Sequence, residues 1–224
     1  MAVVTAAIEA VELYRFYRAG DEETLALRGV SIRVFAGELV AVVGPSGSGK
    51  STLLACLAGL DEPDGGQVRV GDVRLSHRPE RERAALRARS IGMLFQSENL
   101  LPHLTVAGNV DLVQHLAGRV DRPFRDRLLG ELGLADRAGV PAGRLSGGET
   151  ARAGLAVALA AEPAVVLADE PTGELDDTTE LRVLELLRER ADTGVAVLVV
   201  SHSPAVAAVA ERRIELVDGR VRGD

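Results

Sequence analysis

The stretch of this sequence richest in chemistry is Gly44-Pro45-Ser46-Gly47-Ser48-Gly49-Lys50-Ser51-Thr52. Its glycines let the backbone fold around phosphate oxygens without a Cβ in the way. The loop amides and the N-terminus of the next helix then face an anion. Lys50 places a cation on the β- and γ-phosphates, and the Ser51 hydroxyl is placed to ligate Mg²⁺. A second stretch, Val165-Val166-Leu167-Ala168-Asp169-Glu170, is an apolar run ending in two acids. In P-loop enzymes an acid at this place holds Mg²⁺, often through water, which suits Asp169. Glu170, one step further out, is placed to polarise a water aimed at a γ-phosphate. A third stretch, Leu145-Ser146-Gly147-Gly148-Glu149, opens a helix, and a serine with two glycines there makes a second phosphate site. One nucleotide does not need two such sites on one chain. Two copies facing each other would use both.

These residues need specific supports. The apolar run Leu39-Val40-Ala41-Val42-Val43 reads as a buried strand before the loop, and Leu53-Leu54-Ala55-Cys56-Leu57-Ala58 as the helix after it. This strand–loop–helix setting argues against a Gly/Ser-rich turn that binds nothing. Residues 165–168 and 195–200 read as strands with an amphipathic helix at 178–190 between them, which predicts parallel strands joined by a crossover helix. Residues 7–13 and 28–35 read as strands, and Ile32 and Val34 alternate with Arg33 as in a half-buried antiparallel strand. Ala19-Gly20-Asp21-Glu22-Glu23 reads as a polar loop. Short strands are predicted around 68–70 and 73–75, a charged helix over 78–90, and a strand over 91–95 that ends at Gln96. Strand signals then stop, and 106–116, 123–132 and 147–161 read as helices separated by Gly/Pro breaks. The fold class is α/β. A parallel-sheet P-loop core carries an N-terminal antiparallel β subdomain and an inserted helical subdomain. The boundaries are 1–96 and 162–224 for the core with its β lobe, and 97–161 for the helical lobe.

Composition narrows the alternatives. Hydrophobic residues make up 46% of the 224 positions but aromatics only 3%, so the core is aliphatic. A net charge of -7 leaves no basic surplus for phosphate backbones and predicts no nucleic-acid partner. The single cysteine, Cys56, excludes an internal disulfide and reads as a packed thiol. The start, Met1-Ala2-Val3-Val4-Thr5, lacks the pattern of a signal peptide, and no apolar run reaches the ~20 residues of a membrane span. The expectation is a soluble, cytoplasmic chain whose membrane role comes through a partner. His77, His103 and His115 lack metal-ligand spacing and read as surface or packing residues.

The pentapeptide at 145–149, together with the loop at 44–52 and the acids at 169–170, resembles the ATP-binding-cassette nucleotide-binding subunits over essentially the whole chain. The resemblance implies ATP and Mg²⁺ as ligands and ATP hydrolysis as the activity. Gln96 is similar to the Q-loop glutamine, which senses Mg²⁺ and water and borders the helical lobe. His202, after Leu198-Val199-Val200-Ser201, resembles the switch histidine that contacts the γ-phosphate. Gly173-Glu174-Leu175-Asp176 occupies the D-loop place, with Asp176 matching its acid. Tyr17 lies at the family's spacing for the residue that stacks on adenine, with Tyr14 as competitor. The implied assembly is a head-to-tail homodimer. Lys50 and Ser51 of one copy and Ser146, Gly147, Gly148 and Glu149 of the other enclose each ATP·Mg²⁺, with Glu170, His202 and Lys50 catalytic and Ser51, Gln96 and Asp169 at the metal.

The sequence departs from the family at Thr150 and Ala151, where long polar residues are usual, and at Val157, where many members carry arginine; Arg152 is retained. Ala168-Asp169-Glu170-Pro171-Thr172-Gly173, with Ser97-Glu98-Asn99-Leu100-Leu101-Pro102-His103-Leu104-Thr105, resembles the lipoprotein-release, macrolide-export and cell-division branch. Members of that branch pair with a transmembrane permease bearing a large extracytoplasmic domain, which implies a peripheral place on the inner face of the cell membrane. The alternative is an ATPase of a mechanotransmission complex that activates an extracytoplasmic enzyme without moving substrate. A soluble cassette of DNA repair or translation is opposed by the absence of coiled-coil or zinc inserts. A cassette without hydrolysis is opposed by intact Glu170 and His202.

Overall fold

Alternate side chains of one short strand, β3 (Leu39–Val43), enter two different cores. Val40 and Val42 join Ile8, Leu13, Leu53, Leu57 and Leu198 on one side, while Leu39 and Ala41 join Val166, Ala168, Leu155 and Leu187 on the other. A parallel strand covered on both faces must be apolar throughout, which is why this run shows no polar alternation. The computed structural model describes residues 5–19, 22–97, 99–173 and 175–223. Met1 to Val4 of the N-terminal reading, Gly20 and Asp21 of the polar loop, Glu98 and Glu174 lie outside the described residues.

The central sheet has the order β10-β9-β3-β8-β7-β6, where β6 is Ile91–Phe95, β7 Val165–Asp169, β8 Ala196–Val200, β9 Arg212–Val217 and β10 Arg220–Gly223. Strands β9, β3, β8, β7 and β6 run parallel, and β10 closes the edge as an antiparallel hairpin arm. The second sheet is antiparallel, in the order β2-β1-β4-β5, from β1 (Ile8–Ala19), β2 (Glu22–Val34), β4 (Gly65–Val70) and β5 (Val73–Arg74). Helix α1 (Lys50–Leu57) is sandwiched between the sheets with Leu53, Leu54, Cys56 and Leu57 buried. Each of these leucines taken out of water contributes about 1.5–3 kcal/mol.

Between β6 and β7 the chain is helical: α3 (Val106–Ala117), α4 (Arg122–Glu131) and α5 (Gly147–Leu159), with two short 3₁₀ turns before α5. Helix α2 (Glu80–Ser90) buries no residue fully, which agrees with a solvated charged face. Helix α6 (Asp177–Asp192) crosses from β7 to β8. The β1 and β2 strands are longer than their sequence patterns. Tyr14, Phe16, Tyr17 and Arg18 are all exposed, so period-2 burial disappears after residue 13 while the ladder hydrogen bonds continue. Residues 204–223, without an assignment from sequence, form α7 (Pro204–Val209), β9 and β10. The alternation of buried Ile214 and Leu216 with exposed Arg213 and Glu215 was a usable signal there. Among the described residues, no helix is long and apolar enough to cross a membrane.

Candidate active site

Strand register assembles the site. Val42, Val200, Asp169 and Phe95 stand side by side across four neighbouring parallel strands. The chain therefore leaves β3, β8, β7 and β6 at one edge, and Gly44, His202, Glu170 and Gln96 follow within two residues. The carboxyl edge of a parallel sheet is where such folds bind ligands.

The loop at 44–49 is wedged between backbones. A Cβ on Gly44 would lie 2.0 Å from the Leu216 carbonyl oxygen, and one on Gly49 would lie 2.4 Å from that of Ala26. Gly49 caps α1 with φ +101, and no side chain caps the helix, so its first amides stay open to an anion. Lys50 Nζ donates to the Gly44 and Pro45 carbonyls at 2.9 Å each, closing the loop on itself. The Ser48 amide donates to Pro45 O at 3.2 Å, and the buried Ser48 hydroxyl has no partner within the protein. Ser46 is exposed on the loop. An uncapped helix start, an orphaned hydroxyl and a cradle that a Cβ would fill fit a bound phosphate chain.

Asp169 meets Ser51. Burial raises the Asp169 carboxyl above its ordinary range and the hydrogen bond from Ser51 opposes that rise, with Glu170 adding to it. Ser51, Gln96, Asp169 and Glu170 line one cavity of about 460 Å³. Among the described residues, no group of three or more His, Cys, Asp or Glu side chains forms a metal cage. A hydroxyl and one carboxylate fit Mg²⁺, which keeps its waters and takes further oxygens from substrate phosphates. Gln96 also reaches the turn after Glu170, where a Cβ on Gly173 would lie 3.2 Å from its Nε2.

Glu170 is held from several directions. Its φ is +46, a left-handed value rare outside glycine, and its amide donates to Val200 O at 2.8 Å. Its Oε2 accepts from Ser201 Oγ at 2.8 Å and from the His202 amide at 3.3 Å, and its Oε1 lies 2.8 Å from His202 Nδ1. Two supports carry no motif. The buried Ser201 also accepts the Ser203 amide at 3.0 Å. Glu180 Oε1 accepts from Thr172 Oγ1 at 2.8 Å and Ser203 Oγ at 2.7 Å, joining the turn after Glu170 to the turn after His202. No sequence spacing marks this tie, because its members come from three separate segments. Asp176 caps α6, accepting from Thr179 N at 3.1 Å and Thr179 Oγ1 at 2.8 Å.

Ser146 and Glu149 form a reciprocal cap on α5: Ser146 Oγ accepts from Glu149 N at 3.3 Å, and Glu149 Oε2 accepts from Ser146 N at 2.9 Å. Arg137 Nε donates to Glu149 Oε1 at 2.6 Å, and with the cap it lowers the Glu149 carboxyl to about 2. The Glu149 carboxylate is thus committed to shaping the helix start, and the loop presents the Ser146 hydroxyl and the Gly147 and Gly148 amides. Among the described contacts, none joins 146–149 to Lys50, Ser51, Asp169 or Glu170; a separate cavity runs from Gln96 to Gly147, with Thr150 and Ala151 in its wall. Tyr17 lies against Thr52 of α1 and donates its hydroxyl to Asp61 at 2.7 Å. The Tyr14 ring instead packs over Gly29 and Gly65. Burial pushes the Cys56 thiol up to about 12, so it is inert. His77 and His115 hydrogen-bond to the backbone carbonyls of Gly66 and Asp111.

A parallel sheet with a phosphate loop and an acid pair at its edge, and a helical insertion whose last helix is capped by a serine, define a nucleotide-binding domain of the P-loop class. The chain belongs to the ABC transporter family, whose sequence model matches residues 27–173. It is 44% identical to the macrolide export ATP-binding/permease protein MacB of Burkholderia thailandensis, over 97% of this chain and 34% of that protein. It is 41% identical to the MacB of Photorhabdus laumondii, over 99% of this chain and 35% of that protein. The chain therefore spans about a third of the length of these relatives. Among solved structures, the ATP-binding cassette MJ0796 in a dimeric post-hydrolysis state bound to ADP and Pi superimposes with a TM-score of 0.86, at 35% identity over 96% of each chain. Membership of this family implies ATP hydrolysis.

Proposed function

We propose that the chain binds and hydrolyses ATP as a head-to-tail pair enclosing two ATP·Mg²⁺, and that closure and reopening of the pair drive a membrane permease. The observation that carries this reading is the separation of two anion sites. Lys50, Ser51, Asp169, Glu170 and His202 cluster at one sheet edge, while the capped serine of α5 has no described contact with them. A second copy turned end to end would bring Ser146, Gly147 and Gly148 to the phosphates held by the first. The MJ0796 structures, at 35% and 36% identity, are dimeric, which supports the pairing of two copies.

Within each site, Ser51 and Asp169, with Gln96 beside them, are the residues to hold Mg²⁺. When bound, the ion supplies charge neutralisation at the β- and γ-phosphate oxygens. Lys50 and the loop amides hold the phosphates, Tyr17 stacks on the base, and Glu170 orients and deprotonates the attacking water. His202, hydrogen-bonded to Glu170, is placed to stabilise charge on the transferred group. Segments 1–96 and 162–224 act as the nucleotide-binding core, and 97–161 act as the signature-bearing lobe.

A permease partner is supported by an apolar groove of about 500 Å³ between α2, α3, β6 and α5, walled by Ala84, Ala88, Phe95, Val113, Leu116 and Val157. Leu116 is 68% exposed and Phe95 39%. Val157, a departure from the family, makes this wall more apolar. Phe95 and its neighbour Gln96 also line the cavity of Asp169 and Glu170, so a helix seated in the groove would press on the metal site. The relatives' description as export ATP-binding/permease proteins favours transport over mechanotransmission. The branch resemblance of residues 97–105 and 168–173 is what supports a permease with a large extracytoplasmic domain and a peripheral place on the membrane.

The test is a cross-link between a cysteine near Ser146 of one copy and one near the loop at 44–52 of the other, with Cys56 replaced first. ATP is expected to increase this cross-link in membranes that hold the permease. A cross-link indifferent to ATP refutes the head-to-tail arrangement.

A further inference from the structure

The ring of Tyr17 is held by residues that belong to no motif. Arg15, two positions earlier on β1, sets its guanidinium over the ring, 4.8 Å from the ring centre. The same guanidinium forks onto Asp61, with Nε to Oδ2 and Nη2 to Oδ1 at 2.8 Å each, and its Nη1 reaches Asp64 at 3.0 Å. Asp61 Oδ2 also accepts the Tyr17 hydroxyl at 2.7 Å, and Asp64 accepts the Phe16 amide at 2.8 Å. Asp61 closes the turn after α1: its amide and that of Leu60 donate to the Ala55 carbonyl. A continuous set of bonds therefore runs from the helix that starts at Lys50, through its far turn, to the aromatic ring.

We propose that Arg15 and Asp61 are positioning residues, a clamp that covers one face of the Tyr17 ring, fixes its hydroxyl and sets the spacing between base platform and phosphate loop. The proposal rests on the reading of Tyr17 as the base-stacking residue. A ring ordered before binding loses less rotamer entropy when a base arrives. With the guanidinium on one face, only the other face is offered to a base. The fork-to-carboxylate geometry fixes direction as well as distance. Arg15 and Asp61 side chains are 21% and 24% exposed, so salt screens this pair less than an open surface pair. Burial pushes the Asp61 carboxyl up, yet Arg15 and Tyr17 outweigh it and leave the group lowered, so the acceptor stays ionised at neutral pH. Tyr14, on the same strand, has no such partners among the described hydrogen bonds; its ring lies on glycines.

The test measures affinity for ATP·Mg²⁺ and for Mg²⁺·tripolyphosphate, which has the phosphates but no base. The variants are Arg15→Ala, Asp61→Asn, Tyr17→Phe, Tyr17→Ala and the double Arg15→Ala/Tyr17→Ala. Arg15→Ala and Asp61→Asn are each expected to weaken ATP about three- to tenfold and to leave tripolyphosphate within about twofold of wild type. Tyr17→Phe, which loses only the hydroxyl, is expected to show a smaller loss of the same kind. In the Tyr17→Ala background, Arg15→Ala is expected to add nothing, because its effect passes through the ring. Equal losses for both ligands, or full additivity with Tyr17→Ala, overturn the clamp. If Tyr17→Ala weakens ATP while Arg15→Ala and Asp61→Asn do not, the stacking reading stands and the clamp falls. If Tyr17→Ala leaves ATP affinity unchanged, the stacking reading fails and takes the clamp with it. Should Arg15→Ala not fold, Arg15→Lys and Tyr17→Phe decide the matter on the same ratio of the two ligands.

Discussion

Replacing Glu170 by glutamine removes one negative charge and almost no volume. In the structure the Glu170 Oε2 accepts from Ser201 Oγ at 2.8 Å and from the His202 amide at 3.3 Å. A glutamine oxygen takes that place and keeps both bonds, while its NH₂ faces His202 Nδ1. The side chain stays where it is, and fold stability changes by no more than one hydrogen bond, about 1 kcal/mol. On the proposed mechanism, what is lost is the group that takes a proton from water. A positioned general base is worth about 10²–10⁴ in rate, which at about 1.4 kcal/mol per decade is about 3–5 kcal/mol of barrier. Single-turnover phosphate release from ATP·Mg²⁺ is expected to fall by that factor, with ATP affinity in the wild-type range. In the proposed head-to-tail pair reopening follows hydrolysis, so Glu170→Gln with ATP and Mg²⁺ is expected to elute as a stable dimer in size-exclusion chromatography. A wild-type rate refutes the role of Glu170. A loss confined to ATP affinity refutes it too, since Glu170 would then be a binding group.

Gly49→Ala sets a Cβ 2.4 Å from the Ala26 carbonyl at φ +101, whereas Gly47→Ala, at φ +77, meets no atom within 4 Å. The first is expected to cost about 1–3 kcal/mol in urea unfolding and to abolish ATP binding, the second only the left-handed penalty of about 1–2 kcal/mol; equal binding losses would argue against the wedged loop. The Glu149 carboxyl titrates at about 2 in the folded chain against an ordinary 4.5. A depressed carboxyl adds stability above its unfolded value and loses it as pH falls toward the folded one. The stability gap between wild type and Glu149→Gln is therefore expected to be constant above about pH 5 and to close between 4.5 and 2, read from urea midpoints at each pH; a gap that persists at the lowest pH contradicts the ionic cap.

Much of the architecture was legible because its signals are local. The runs at 39–43, 165–168 and 195–200 are unbroken in apolar residues, and only a strand covered on both faces tolerates that. The helical stretch between β6 and β7 announced itself through Gly/Pro breaks and through Ser146 with two glycines at a helix start; the structure adds Glu149 as the other half of a capping box. The end of the chain was not read, although Ile214 and Leu216 alternate with charged neighbours. The outer half of β1 gave no pattern, since Tyr14, Phe16, Tyr17 and Arg18 are exposed and ladder bonds leave no mark on residue choice.

By itself, the sequence pointed to the residues proposed to carry phosphate and metal chemistry, because loop, acid pair and capped serine depend on side chains a few positions apart. Tertiary structure decided how they meet. Register across four strands brings Asp169 to Ser51 and Glu170 to His202, and register is set by two cores that no single segment contains. The surroundings of the two tyrosines were decided in the same way. The family's spacing favours Tyr17 over Tyr14 in sequence, but its place beside Thr52 of α1 comes from Arg15 and Tyr17 binding an aspartate 46 and 44 residues away. Such a contact costs loop closure and pairs groups by distance in space, so no local pattern can encode it.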